Sequence, residues 1–204
     1  MSVTLAAPRA AAAIAFWLTL LALGTTPIPA SAQTTPTASV AAEADVLAYG
    51  ISGYSGILSV TLPNKLQIAF GLGRYDVPSF LLSGDAQFDA AQWEATVTSI
   101  QVARATYRFR GAMRSGPALG AIMLNQNWRL RSAPLDGETR FRTLSVGVTG
   151  GYYVHIGRHF YLYPTAAFTY NGVSGSTAIR GTNYEVERYS PNASLHAGWE
   201  WGRR

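Results

Sequence analysis

Asn192-Ala-Ser-Leu-His-Ala-Gly-Trp-Glu-Trp201 alternates apolar and polar side chains and closes on an aromatic just before Gly202-Arg203-Arg204. Successive side chains of an extended strand point to opposite faces. Ala193, Leu195, Ala197, Trp199 and Trp201 therefore share one face, and Asn192, Ser194, His196, Gly198 and Glu200 the other. The first face suits lipid and the second suits water.

The same two-residue period returns along the chain. In Lys65 to Tyr75, Leu66, Ile68, Phe70 and Leu72 alternate with Lys65, Gln67, Ala69, Gly71 and Gly73. Before it, Tyr54, Gly56, Leu58, Val60 and Leu62 oppose Ser55, Ile57, Ser59 and Thr61, and Pro63-Asn64 makes the turn between the two strands. Trp93 to Phe109 places Arg104, Thr106 and Arg108 against Ala103, Ala105, Tyr107 and Phe109. Ile100 and Val102 fall on the arginine side, so a bulge near Ser99 is expected. From Ala118 to Arg131 the set Ala118, Gly120, Ile122, Leu124, Trp128 and Leu130 opposes Met123, Asn125, Asn127, Arg129 and Arg131. Leu144, Val146, Val148, Tyr152 and Val154 alternate with Thr143, Ser145, Gly147, Thr149 and Gly151. Phe160 to Tyr170 is the seventh strand, although its Pro164 removes a ladder hydrogen bond.

This pattern, repeated over residues 46 to 201 and ending on an aromatic-rich last strand, resembles the small bacterial outer-membrane β-barrels of the eight-stranded outer-membrane protein superfamily. The resemblance implies an all-β chain folded as an antiparallel up-and-down transmembrane β-barrel of eight strands. It also implies a bacterial outer-membrane location, a last strand read by the outer-membrane insertion machinery, and outer-membrane lipids and lipopolysaccharide as neighbours. Such barrels have an even number of strands. The eighth is expected in Asp45 to Ser52, with Thr177 to Tyr189 as the alternative. Connections alternate in length: 63–64, 110–117 and 155–159 are short, whereas 76–92, 132–139 and 171–191 are longer. Short turns belong in the periplasm and long loops outside. Tyr75, Trp93, Trp128 and Tyr170 then fall at the loop ends, and Phe109, Tyr152, Phe160 and Trp201 at the turn ends, as two interfacial girdles.

Residues 1–32 read as a cleaved secretory signal peptide: Arg9, an apolar stretch from Ala10 to Leu23, and Ala30-Ser31-Ala32 as the cleavage site. Residues 33–45 are small and polar and read as a flexible linker, 46–201 as the barrel, and 202–204 as a short basic tail. The chain has no cysteine, which excludes disulfides, thiolate chemistry and a lipidated N-terminal cysteine. Charged residues are only 13 % of the chain, about half the share usual in soluble domains. A soluble periplasmic β-protein is the alternative that this composition disfavours. The net charge of +5 is spread singly along an exported chain, so no nucleic-acid partner is expected.

Arg104, Arg108, Arg129 and Arg131, with Glu94 and Glu200 as partners, are the expected polar network of the lumen. An eight-stranded barrel is just wide enough for side chains to fill, so a packed interior is favoured over a narrow polar-solute channel. Arg74, Arg129, Arg131, Arg140 and Arg142 lie near loop ends, where lipopolysaccharide phosphates would be met. A lipid A-modifying enzyme would need a nucleophile and base. Ser194, His196 and Glu200 share a face, but neighbours two apart on a strand lie about 6 to 7 Å from one another, too far for direct hydrogen bonds. His155 and His159 flank a tight turn and make no convincing metal pair. The expectation is therefore a non-enzymatic barrel with a structural or surface-interaction role, without cofactor or metal. Its oligomeric state is left open.

Overall fold

The computed structural model describes residues 38–78 and 93–202. The expected signal peptide, residues 33–37 of the expected linker, and Arg203 and Arg204 lie outside the described residues. The strands are β1 (Ser39–Asp45), β2 (Tyr54–Thr61), β3 (Leu66–Val77), β4 (Trp93–Arg108), β5 (Gly116–Ser132), β6 (Gly137–Ile156), β7 (Phe160–Gly175) and β10 (Tyr189–Gly202). Each pairs with its neighbour antiparallel, and β1 closes the ring between β2 and β10. A two-stranded hairpin, β8 (Ala178–Ile179) and β9 (Thr182–Asn183), stands apart in the last loop.

The eighth strand is β1, seven residues that the sequence assigns to the linker. Ser39, Ala41 and Glu43 are buried, while Val40 is exposed, so the two-residue period is present there on small side chains. Asp45 to Ser52, where that strand was expected, contains the short helix α1 (Val46–Gly50) instead. The Asp45 side chain caps it by accepting from the Leu47 N–H at 3.0 Å. The hairpin β1–β2 is therefore short, and α1 completes the wall above it, with Ala48 buried and Leu47 and Tyr49 exposed.

The stagger of the ring follows from the register. From Leu58, pairs run one way through Phe70, Ala103 and Met123 to Val146, and the other way through Ala42, Trp199 and Phe160 to Ile156. The two rows meet β6 ten residues apart, a shear of ten on eight strands, which tilts every strand and leaves a narrow interior. The expected bulge is an extra residue, Thr98, where the register shifts between Val97 and Ser99. Ile100 and Val102 stay on the Arg104 side and face the lumen. Pro164 sits where the β6–β7 ladder is interrupted between Thr165 and Leu162, so its missing N–H breaks no pair.

Outside, Leu58, Phe70, Leu72, Leu119, Val148 and Phe168 are all at least half exposed. A closed barrel with such a belt has a bilayer as its solvent. Among the described residues no helix is long and apolar enough to cross a membrane; the strands do so. Near the turn end, Tyr107, Phe109, Trp199 and Trp201 are exposed, and near the loop end Tyr54, Tyr170 and Tyr189. Three of the expected loop-end girdle residues are elsewhere. Tyr75 points inward and accepts from Gln126 at 3.1 Å, and Trp93 and Trp128 pack into an apolar cluster inside the mouth.

Candidate functional site

The lumen nearest the turn end is a solid polar core. Arg108 on β4 grips Glu200 on β10 with both terminal nitrogens, at 2.7 and 3.2 Å. Glu200 also accepts from Ser39 Oγ at 2.5 Å and from the Met113 N–H at 3.2 Å, and meets His155 Nε2 at 2.8 Å. Met113 is buried, so the β4–β5 turn tucks up and seals this end. One layer higher, Arg104 holds Glu43 of β1 at 2.8 Å. The two guanidiniums bracket a pair of rings: Arg108 lies 4.0 Å from the centroid of Tyr153, Tyr153 stacks on Tyr163 at 4.0 Å, and Arg104 lies 4.9 Å from Tyr163. Gln67 accepts from Tyr153 and Thr106 and donates to Ser59.

Two glycines make room for these rings. A Cβ on Gly198 would meet the ring of Tyr161, and one on Gly151 would meet Tyr163 at 2.6 Å. Each ring lies against bare backbone on the next strand.

Arg104, Arg108 and Glu200 therefore occupy the lumen, whereas Arg129, Arg131 and Glu94 do not. The Arg131 and Glu94 side chains are exposed, 4.0 Å apart, on the outside of the barrel. Arg129 shares their face, since Trp128 and Leu130 point inward. The alternation of β3 already put Gln67 on the lumen side, but sequence reasoning missed Glu43, Tyr153, Tyr161, Tyr163 and His155. One signal for Glu43 existed: two inward arginines against one inward acid demand a second acid, because unpaired buried charge is costly. His155, read from the sequence as flanking a tight turn, has a buried side chain.

No catalytic constellation assembles from the candidates. His196 is buried and stacked on Tyr163 at 5.9 Å, away from Glu200. Around Glu200 the carboxylate stands between Ser39 and His155, whereas a hydrolytic triad needs the imidazole between serine and acid. Among the described residues no three metal-ligating side chains cluster.

The loop end is capped differently. Ala95, Leu130, Phe141 and Ile179 form a buried apolar cluster, with Trp128 stacked on Phe141 at 5.9 Å and Tyr184 beside it at 6.0 Å. Ile179 comes from the β8–β9 hairpin, which thus lies over the mouth.

On the outer surface at the same level are Arg74, Arg131, Arg140 and Arg142, all exposed, with Arg129 half-buried. Glu138 binds Arg140 at 2.9 Å and Arg131 at 3.3 Å. The hydrogen bond from Arg140, then that from Arg131, holds its carboxyl below the usual carboxylate range. Arg142 donates from Nε to Asn125, whose amide in turn donates to Gln101 at 2.8 Å.

No protein-family model matches the chain, and no curated protein matches its sequence. Among solved structures, it resembles the N-terminal β-barrel domain of Pseudomonas aeruginosa OprF, at 15 % identity and a TM-score of 0.52, covering 83 % of this chain and 100 % of that one. Neisserial surface protein A matches at 16 % identity and a TM-score of 0.43, covering 80 % and 93 %. A major outer membrane protein from Thermus thermophilus matches at 16 % and 0.40, covering 81 % and 99 %. The first likeness extends to the fold alone, and the other two carry no further argument.

Proposed function

We propose that this protein is a closed structural barrel of the bacterial outer membrane, exported by its N-terminal signal peptide and inserted through its last strand. It contacts lipopolysaccharide through its outer rim and neither conducts solutes nor catalyses a reaction. The observation that carries this reading is the double Arg–Glu core: Glu43–Arg104 and Arg108–Glu200, bracketing Tyr153 and Tyr163, fill the lumen across its width. The OprF-like fold and the exposed apolar belt support the membrane location. Of the rim arginines, Arg131 and Arg140 are engaged by Glu138. Arg74, Arg129 and Arg142 are therefore the stronger phosphate contacts.

The test is gel mobility in detergent before and after boiling, followed by reconstitution in a planar bilayer. A folded barrel runs compactly unboiled and shifts on heating, and a closed one passes no steady current. A water-soluble protein without a heat shift would reject the membrane reading, and a stable open conductance would reject the closed lumen.

A further inference from the structure

The outer wall is not uniformly ridged. On β4 and β5 the lipid-facing residues Ala103, Ala105 and Ala121 form the floor of a groove of about 360 Å³. Phe70 walls it on the β3 side, and Met123 and Val146 on the β6 side. The register makes this groove a property of the sheet: Phe70, Ala103, Met123 and Val146 are one cross-strand row, and Ile68, Ala105, Ala121 and Val148 the next. Phe70 is 65 % exposed, and Met123 and Val146 are exposed as well, so the alanine floor is recessed between large side chains. A gap in such a wall forfeits dispersion contacts unless a hydrocarbon chain lies in it.

What stands above the groove on the same strands is polar. Two residues beyond Ala103 is Gln101, and two beyond Met123 is Asn125, both facing outward at the upper edge of the belt. They are hydrogen-bonded to each other, and Asn125 holds Arg142 through Nε. Anchoring Nε leaves both terminal nitrogens of Arg142 without a partner among the described residues. Arg129 stands one strand away, diagonal to Arg142 across the Asn127–Arg142 and Arg129–Arg140 pairs. Amides and guanidiniums above an apolar channel match one kind of molecule: an acyl chain ending in an anionic phosphorylated head group.

We infer that the β3–β6 face is a discrete site for one lipid A molecule, with an acyl chain in the alanine-floored groove and a phosphate on Arg142 and Arg129. This rests on the outer-membrane reading above and sharpens it from a rim contact to a site with a defined tail and head. Charge complementarity decides the occupant, because a second copy of the barrel would bring the same arginines against these.

Native mass spectrometry of the detergent-folded full chain with hexa-acylated, bis-phosphorylated lipid A measures it. The wild type should carry one retained lipid. Ala103→Phe with Ala121→Phe fills the groove, and Arg129→Gln with Arg142→Gln removes the head-group contacts. Each pair should lower retention roughly tenfold, while Ala193→Phe on the opposite wall leaves it unchanged. Heat-dependent gel mobility confirms that each variant is folded; should the double phenylalanine variant fail it, Ala121→Leu replaces it. Loss in the glutamine variant alone would overturn the site while leaving a rim contact standing. Loss in neither variant would remove both. Loss in the groove variants alone would mean an acyl contact without head-group recognition and would also overturn the site. Disulfide dimers of Ala121→Cys would assign the groove to a second copy and overturn the lipid site as well.

Discussion

Glu43 and Arg104 are 61 residues apart in the chain and meet inside the barrel at 2.8 Å, both buried. β1 is held in the ring by its ladders to β2 and β10 and by this charge pair. Removing one member of a buried pair leaves the other uncompensated, at a cost of about 3 to 5 kcal/mol. Glu43→Ala should lower unfolding stability in lipid by that amount, and Glu43→Ala combined with Arg104→Met should recover much of it. Equal losses in the single and double variants would show that packing, not charge, holds β1.

Strand parity is tested at two adjacent residues of β3. Ile68 faces lipid, so Ile68→Arg should cost roughly 2 to 4 kcal/mol. Gln67 is fully buried and hydrogen-bonded to Ser59, Thr106 and Tyr153, and arginine has no room there either, so charge insertion does not separate the two faces. Cysteine does, since the chain has none of its own. A lipid-soluble reagent should label Ile68→Cys readily and Gln67→Cys hardly at all, and similar rates would exchange or abolish the faces.

Gly198 is where Tyr161 lies against bare backbone. Gly198→Ala forces the ring aside in a filled lumen, and overpacking of this kind costs about 1 to 3 kcal/mol. Adding Tyr161→Ala should relieve the clash, so the two changes should be strongly non-additive. Additive losses in urea unfolding would disprove the contact.

The cap over the loop end depends on Phe141, stacked on Trp128 and packed against Ile179 of the β8–β9 hairpin. Phe141→Ala should cost about 3 kcal/mol or more locally and release the hairpin. Arg180 and Arg188 in that loop should then be cut by trypsin much faster than in the wild type, with the barrel still heat-shifting on gels. Unchanged cleavage would mean that the hairpin does not depend on the cluster.

The period of two in Leu66 to Leu72 and in Ala193 to Trp201 is a local fact of strand geometry, so the order of residues alone dictates the fold class and, in β3 and β10, which face meets lipid. It also marks Arg104, Arg108 and Glu200 as lumen residues, since their neighbours on the opposite face are apolar. β5 is apolar on both faces, and only the ring decides that Leu119, Ala121 and Met123 point out while Ile122 and Leu124 point in. Two further things depend on the closed barrel. Closure with a shear of ten brings β1 across to β10 and β2, and so makes Glu43, on a stretch of small residues that resembles a linker, the partner of Arg104. The second is the change of solvent along one strand. In the belt the outside is hydrocarbon, so Leu144 and Val146 point out and Ser145 points in; beyond it the outside is water, so Arg140 and Arg142 point out and Phe141 points in. The alternation never breaks, but the meaning of its two faces reverses. That is why Arg129 and Arg131, read by the rule of the belt, belong to the outer rim and not to the lumen.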